Sequence, residues 1–78
     1  MPLSPIYLDS CLQDQTCTVI SLHGELDAKL QLVNLGFHRH SHIKVILCRG
    51  DSLILNIDGS RFAIDRELAK KIEVELLS

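Results

Sequence analysis

The sequence lacks the features that mark membrane-spanning and nucleic-acid-binding proteins. Its longest uninterrupted apolar run, residues 45–48, has four members, whereas a membrane-spanning helix needs about 20 apolar residues. Basic residues are not in excess, because 8 Lys and Arg stand against 10 Asp and Glu. A nucleic-acid surface would need clustered Lys and Arg. We therefore expect no membrane insertion and no nucleic acid as a partner.

Signal peptides and disulfide motifs are missing as well. Residues 1–19 contain no Lys or Arg, so the charged start of a signal peptide is absent and the chain is expected in the cytoplasm. The 3 Cys residues, at positions 11, 17 and 48, form no C-x-x-C pair. In a reducing compartment they are expected to be free thiols, and Cys17 and Cys48 lie in apolar segments where Cys acts as a small hydrophobe. Metal ligation together with His is the alternative.

The chain is also short. Its 78 residues, 46% of them apolar, fit a single domain over residues 1–78. A domain of this size buries only about 60% of the surface that its unfolded chain exposes, so most apolar side chains are needed for one core. Little room is left for a catalytic cleft, and the small size favours a binding or regulatory module over an enzyme.

The N-terminal residues 1–15 have no clear hydrophobic period and contain both prolines. We interpret them as a lead-in segment in which Ile6, Tyr7 and Leu8 pack onto the domain. Residues 9–12 can form a helical turn with Asp9 or Ser10 as its cap.

After the lead-in, hydrophobic periodicity predicts five strands, one helix and one helical turn. The strands are expected at residues 17–22, 43–48, 53–57, 60–64 and 72–76. In the second of them, Ile43, Val45 and Leu47 form one apolar face. The ten-residue helix follows the first strand, with Asp27 capping its start and Gly36 in the left-handed position at its end. Residues 65–71 form a capped helical turn before the last strand.

The dipeptide Asp58-Gly59 predicts a two-residue type I′ turn between two strands. Such a loop fixes the register, so Asn56 faces Arg61 and the apolar residues at 53 and 55 face those at 64 and 62. All apolar partners then lie on one face, which supports the hairpin. Five short antiparallel strands in about 60 residues suit a small closed barrel, because closure removes exposed edges.

This order of elements and several of its residues resemble the FeoA family, small cytosolic proteins of bacterial ferrous iron uptake. The matching stretches lie between Cys17 and Leu76, and they are Leu-Val-Asn-Leu-Gly-Phe (32–37), Ile-Lys-Val-Ile (43–46), Leu-Ile-Leu-Asn-Ile (53–57) and Phe-Ala-Ile (62–64), followed by Ala69, Ile72 and Val74. Two positions depart from the family pattern. Arg39-His40 stand where the family usually has Pro-Gly, and Ser52 stands where it often has Pro.

The resemblance implies a mainly β, SH3-like barrel of about five antiparallel strands, with one inserted helix and a short helical turn before the last strand. It also implies a non-enzymatic accessory protein that needs no cofactor. Such a protein binds and modulates a FeoB-type GTPase iron transporter through the transporter's cytosolic part, and so can lie peripherally at the inner membrane. The same SH3-like domain is similar to the C-terminal domain of iron-dependent repressors.

The helix supplies candidate partner-binding residues. Leu26, Leu30 and Val33 follow a helical period, and further apolar residues widen the stripe. We expect much of this stripe to pack on the core, while part of it stays exposed for a partner. The candidates are Leu26, Leu30, Val33, Leu35 and Phe37. Association of the chain with itself is a second expectation for partners.

Three histidines at alternate positions, His38, His40 and His42, form the one unusual polar cluster. In an extended strand, residues two apart project to the same face, and imidazole suits Zn, Ni, Cu and Fe. A weak site for Zn or Fe(II), with Cys48 as an additional ligand, is the alternative function. The competing interpretation is a solvated turn, since an inward Ile43 turns His42 outward. No Ser or Cys is paired with His in a spacing that predicts nucleophilic catalysis.

Overall fold

The structure is a computed structural model, and it describes residues 5–77. Six strands and two α-helices form the domain. The strands are β1 (Ile6–Tyr7), β2 (Thr16–Leu22), β3 (His42–Arg49), β4 (Ser52–Ile57), β5 (Ser60–Asp65) and β6 (Ile72–Leu76). The helices are α1 (Leu26–Leu35) and α2 (Arg66–Ala69), and a short 3₁₀ turn covers Leu8–Ser10. Within residues 5–77, no helix is long and apolar enough to cross a membrane.

All six strands belong to one antiparallel sheet in the order β1-β6-β2-β3-β4-β5. The predicted mainly β architecture, with one inserted helix and a helical turn before the last strand, is therefore confirmed. The sheet has one strand more than predicted. Its outer strands are β1 and β5, so hydrogen bonding between strands does not close the barrel around its full circumference.

The additional strand comes from the segment interpreted as a lead-in. Ile6 and Tyr7 pair with Val74 and Glu73 of β6, and Leu8 is completely buried. The expected packing of residues 6–8 is thus confirmed. The helical turn begins earlier than predicted, at Leu8 rather than Asp9, and no side chain caps it.

Helix α1 has the predicted ten-residue length, but its start is not capped by Asp27. The residue before the helix is Glu25, and no side chain accepts a hydrogen bond from the first turn. The helix ends as predicted, because Gly36 has a φ of 110°, a conformation that glycine adopts without steric cost. The next N–H group, that of Phe37, donates to the Leu32 carbonyl at 3.0 Å. This 6→1 bond is the hallmark of a Schellman motif, in which the residue after the glycine packs back on the helix.

A bulge in β3 changes the face to which its last residues point. Ile43 and Val45 are buried as predicted, but the register with β4 shifts between Val45 and Leu47. An extra residue in one strand inverts the alternation of side chains beyond it. As a result Cys48, rather than Leu47, lies opposite the buried Leu53 and packs against the core.

The β4–β5 hairpin has the predicted turn and register. Asp58 and Gly59 both have positive φ, 50° and 89°, as a type I′ turn requires. Asn56 pairs with Arg61, and the Asn56 side-chain Oδ1 accepts the Gly59 N–H at 3.1 Å. Beyond β5, Asp65 caps α2 by accepting the Leu68 N–H at 2.8 Å, which confirms the predicted capped turn.

The Arg66 side chain joins the two open sides of the sheet. Its Nη1 donates to the carbonyl of Asp9, which follows β1, at 2.8 Å. Its Nε and Nη2 donate to the carbonyl of Gly50, in the turn between β3 and β4, at 3.3 and 3.1 Å. Because Arg66 itself directly follows β5, one guanidinium connects chain segments next to both outer strands. A side chain therefore makes the connection that strand pairing leaves open.

Candidate interaction site

The outward face of α1 is the principal exposed apolar feature of the described chain. The exposed fractions of Leu26, Leu30 and Val33 are 70%, 51% and 40%. At 100° per residue these three side chains lie on one side of the helix, whereas Ala28 and Leu32 lie on the other. Leu32 is the only residue of α1 that is buried. The expectation that the Leu26–Leu30–Val33 stripe packs largely on the core is therefore wrong, and the stripe is available to a partner.

Two other predicted partner-binding residues lie elsewhere. Leu35 points toward the core side of the helix and retains 38% exposure. Phe37 is completely buried and its ring meets that of Phe62 edge to face, with centroids 5.6 Å apart. Phe37 is thus a core residue and its assignment to the partner surface is wrong. The Schellman motif explains this, because it directs the residue after Gly36 back under the helix.

The histidine-containing turn between α1 and β3 is held by hydrogen bonds from its backbone N–H groups. The His40 N–H donates to the Val19 carbonyl at 2.8 Å, and the Ser41 Oγ accepts the His38 N–H at 3.0 Å. His40 has a φ of 74°, in the left-handed region. A residue with a side chain adopts this conformation less easily than Gly does.

The three histidines of this turn are all exposed, and only His42 belongs to a strand. An extended row of three imidazoles is therefore not formed. In the part of the chain that the structure describes, no group of three or more His, Cys, Asp or Glu side chains is placed to hold a metal ion. The outward position of His42 beside the buried Ile43 agrees with the solvated-turn interpretation.

The thiols of Cys11 and Cys17 are buried, and that of Cys48 is partly exposed and contacts the Cys11 backbone. Cys48 Sγ donates to the Cys11 carbonyl at 3.5 Å. A hydrogen bond donated by the Cys17 thiol to the Cys11 sulfur, together with burial, raises the pKa of Cys17, and the same bond lowers the pKa of Cys11. His23 is not part of this group, because its Nε2 lies 2.8 Å from Glu73 Oε1. The thiols are therefore not paired with a His in a catalytic arrangement.

Thiol labelling of the folded protein should reflect these positions. We expect Cys48, which is partly exposed, to react first with a maleimide, since Cys11 and Cys17 are buried. Cys17 should be the slowest, because the thiolate is the reactive species and its pKa is raised. Mass spectrometry of native and urea-unfolded protein checks this order. Rapid native labelling of Cys17 would contradict the placement.

Comparisons with known proteins find a sequence match to the FeoA domain and structural matches to FeoA proteins. A profile of the FeoA domain matches residues 6–76, and a search of curated proteins found no match. A crystal structure of an iron uptake regulatory protein (FeoA) is 28% identical, with a TM-score of 0.87, covering 96% of this chain and 100% of that one. The FeoA protein from Chlorobium tepidum is 25% identical, with a TM-score of 0.85, covering 94% of this chain and 71% of that one.

The SH3-like fold is also found in a protein of a different kind. A manganese-dependent transcriptional repressor has a TM-score of 0.89 over 97% of this chain and 38% of its own, at 20% identity. At that identity the likeness concerns the fold alone. The profile match spans nearly the whole chain, from β1 to the end of β6. The chain belongs to the FeoA domain family.

Proposed function

We propose that the protein is a non-enzymatic accessory component of ferrous iron uptake, which binds the cytosolic part of a FeoB-type GTPase iron transporter. The observation that carries this proposal is the FeoA profile match over residues 6–76. A structural relative named as an iron uptake regulatory protein supports it. In this role the protein is cytoplasmic and is held at the inner membrane through the transporter.

The outward face of α1 is the surface that would contact the transporter. Leu26 and Leu30 are each more than half exposed, and burying the exposed part of such a side chain contributes at most about 1.5–3 kcal/mol. Lys29 and Asn34 flank this apolar stripe on the helix surface. An apolar centre with a polar rim is the usual composition of a protein–protein interface.

Binding would act on the transporter by shifting its conformational equilibrium. A bound protein favours whichever state it binds more tightly, and the shift is limited by the difference in affinity. Couplings of this kind are typically about 1–3 kcal/mol. No reaction on the small protein itself is needed for such an effect.

The helix face can be altered without loss of the fold. The double substitution Leu26→Ser and Leu30→Ser should change the free energy of unfolding by less than about 1 kcal/mol, because exposed positions tolerate polar replacement. Urea unfolding followed by circular dichroism measures this. A loss of several kcal/mol would show that these residues belong to the core after all.

The association is tested by co-purification with the detergent-solubilised transporter from the same source. The experiment is run without nucleotide, with GDP and with a non-hydrolysable GTP analogue, each with and without Fe(II). We expect the protein to be retained in at least one of these states. Absence of retention in all of them contradicts the proposed function.

A further inference from the structure

Strand β5 is an outer strand whose second edge pairs with no strand of the described chain. In a two-residue hairpin the residues next to the turn form a hydrogen-bonded pair, and hydrogen-bonded and non-hydrogen-bonded pairs then alternate. Ile57 and Ser60 are that first pair. The N–H and C=O groups of Arg61, Ala63 and Asp65 therefore point away from β4.

A hydrogen bond beyond the hairpin confirms this alternation. The Arg66 N–H donates to the Asp51 carbonyl at 2.7 Å, which puts residue 66 in phase with residues 60, 62 and 64. Residues 61, 63 and 65 are exposed, and the described chain provides no backbone partner for their N–H groups. The Asp65 carbonyl, at a helix N-cap, is already engaged by the helix. Three N–H groups and two carbonyls thus remain along this edge.

We propose that the β5 edge binds the same edge of a second copy of this chain, in antiparallel orientation around a two-fold axis at Ala63. Only residues whose backbone N–H and C=O groups point away from β4 can form hydrogen-bonded pairs across the new interface. The centred register therefore pairs Ala63 with Ala63 of the second copy, and Arg61 with Asp65 of the second copy. Two backbone hydrogen bonds form at the Ala63 pair, and one more forms at each Asp65–Arg61 pair.

The charges on β5 select this occupant and this direction. Charged residues on an outer strand normally prevent pairing, but here the two charges have opposite signs and lie symmetrically about Ala63. Residues opposite one another in a hydrogen-bonded antiparallel pair have Cα atoms about 5.5 Å apart, and opposite charges at that spacing stabilise the sheet. A parallel, in-register arrangement would oppose Arg61 to Arg61. The charges of Arg61 and Asp65 therefore favour antiparallel pairing of the two β5 strands and disfavour parallel pairing.

The charged side chains are free for this pairing. Arg61 forms no ion pair with another residue of the described chain. Asp65 uses one carboxylate oxygen to cap α2 through the Leu68 N–H, which fixes the carboxylate and leaves its other oxygen available. Ala63 is small and exposed, so the two strands meet at the axis without a steric clash.

The experiment is sedimentation equilibrium of the full chain at low salt, up to about 1 mM, because an interface this small belongs to the weak class. We expect a monomer–dimer equilibrium that is weakened by added salt, since exposed ion pairs are screened. Two substitutions should remove the dimer. Ala63→Lys places each Lys opposite its own copy, and Arg61→Glu opposes two negative charges at both ends of the interface.

The matched control for Arg61→Glu is Lys44→Glu, which makes the same change of charge on the outer face of the central strand β3. It should leave the dimer intact, and circular dichroism should show that all three variants remain folded. A chain that stays monomeric at every concentration overturns the proposal. A dimer that survives both Ala63→Lys and Arg61→Glu also overturns it.

Cross-linking tests the register itself. Ala63→Cys should form a disulfide-linked dimer under a mild thiol oxidant, because a Cα separation of about 5.5 Å suits a disulfide. Arg61→Cys should not, since residue 61 of one copy lies far from residue 61 of the other. The unmodified chain controls for its own thiols. Equal cross-linking of the two variants would contradict the centred register.

Discussion

Substitution of Phe37 by Ala is expected to lower the free energy of unfolding by about 3–5 kcal/mol, the range for removal of a buried aromatic ring. Phe37 is completely buried and contacts Phe62 edge to face. It also follows Gly36, whose left-handed conformation ends α1. Loss of the ring leaves a cavity beside Phe62, so the end of α1 loses one of the contacts that fix its position.

Urea unfolding measures the effect, and Phe37→Leu is the matched control. Leu keeps much of the apolar volume, so the loss should be clearly smaller than for Ala. A domain of this size has a stability on the order of 5–10 kcal/mol, and Phe37→Ala should therefore lose a large fraction of it. If the Ala variant were as stable as the original protein, the placement of Phe37 in the core would be contradicted.

Substitution of Arg66 by Ala is the second change with a large expected effect. It removes three hydrogen bonds from the guanidinium to the carbonyls of Asp9 and Gly50. Hydrogen bonds to charged groups contribute about 1.5–3 kcal/mol each, although they share one side chain and are not additive. We expect a loss of at least about 2 kcal/mol, because two carbonyls lose their partner at once.

Two further substitutions separate geometry from charge. Arg66→Lys keeps the positive charge but lacks the planar fork that reaches two carbonyls, so it should recover only part of the loss. Arg49→Ala removes an exposed Arg that forms no side-chain hydrogen bond within residues 5–77. It should change stability little. Thermal unfolding of all three variants checks the ranking, and equal effects at positions 49 and 66 would exclude a role for Arg66 in closing the sheet.

Local sequence signals predicted those elements that depend on neighbouring residues. The β4–β5 register follows from Asp58-Gly59 because a two-residue turn leaves no freedom in pairing. The end of α1 at Gly36 and the cap at Asp65 likewise depend on residues within a few positions. The family resemblance then supplied the SH3-like topology, which depends on pairing between distant strands.

The orientation of α1 was not predictable from its sequence, since the helix is apolar on two opposite sides. Leu26, Leu30 and Val33 form one side, and Ala28, Leu32 and Leu35 form the other. Periodicity alone does not decide between two apolar stripes of three residues each. The second side faces the core, since the turn at Gly36 brings the buried Phe37 back against the buried Leu32.

Long-range partners account for the other differences. The two-residue strand β1 is too short to show a period, and it exists through pairing with β6 at the other end of the chain. The bulge in β3 has no marker such as Gly or Pro. Arg66 contacts Gly50, which is 16 positions away, and Asp9, which is 57 positions away. These contacts likewise have no local sequence signal. These features depend on how the sheet curves, which the sequence pattern does not encode locally.

The most direct test of the proposed function is a binding titration between this protein and the purified cytosolic part of a FeoB-type transporter. The protein is compared with its Leu26→Ser/Leu30→Ser variant. The control is Leu12→Ser, which changes a Leu that is 67% exposed but lies outside α1. Binding by the original protein and the control, with at least a tenfold loss (about 1.4 kcal/mol) in the helix variant, is the expected result. Equal binding by all three proteins would contradict the helix face as the docking surface, and no binding by any of them would contradict the transporter as the partner.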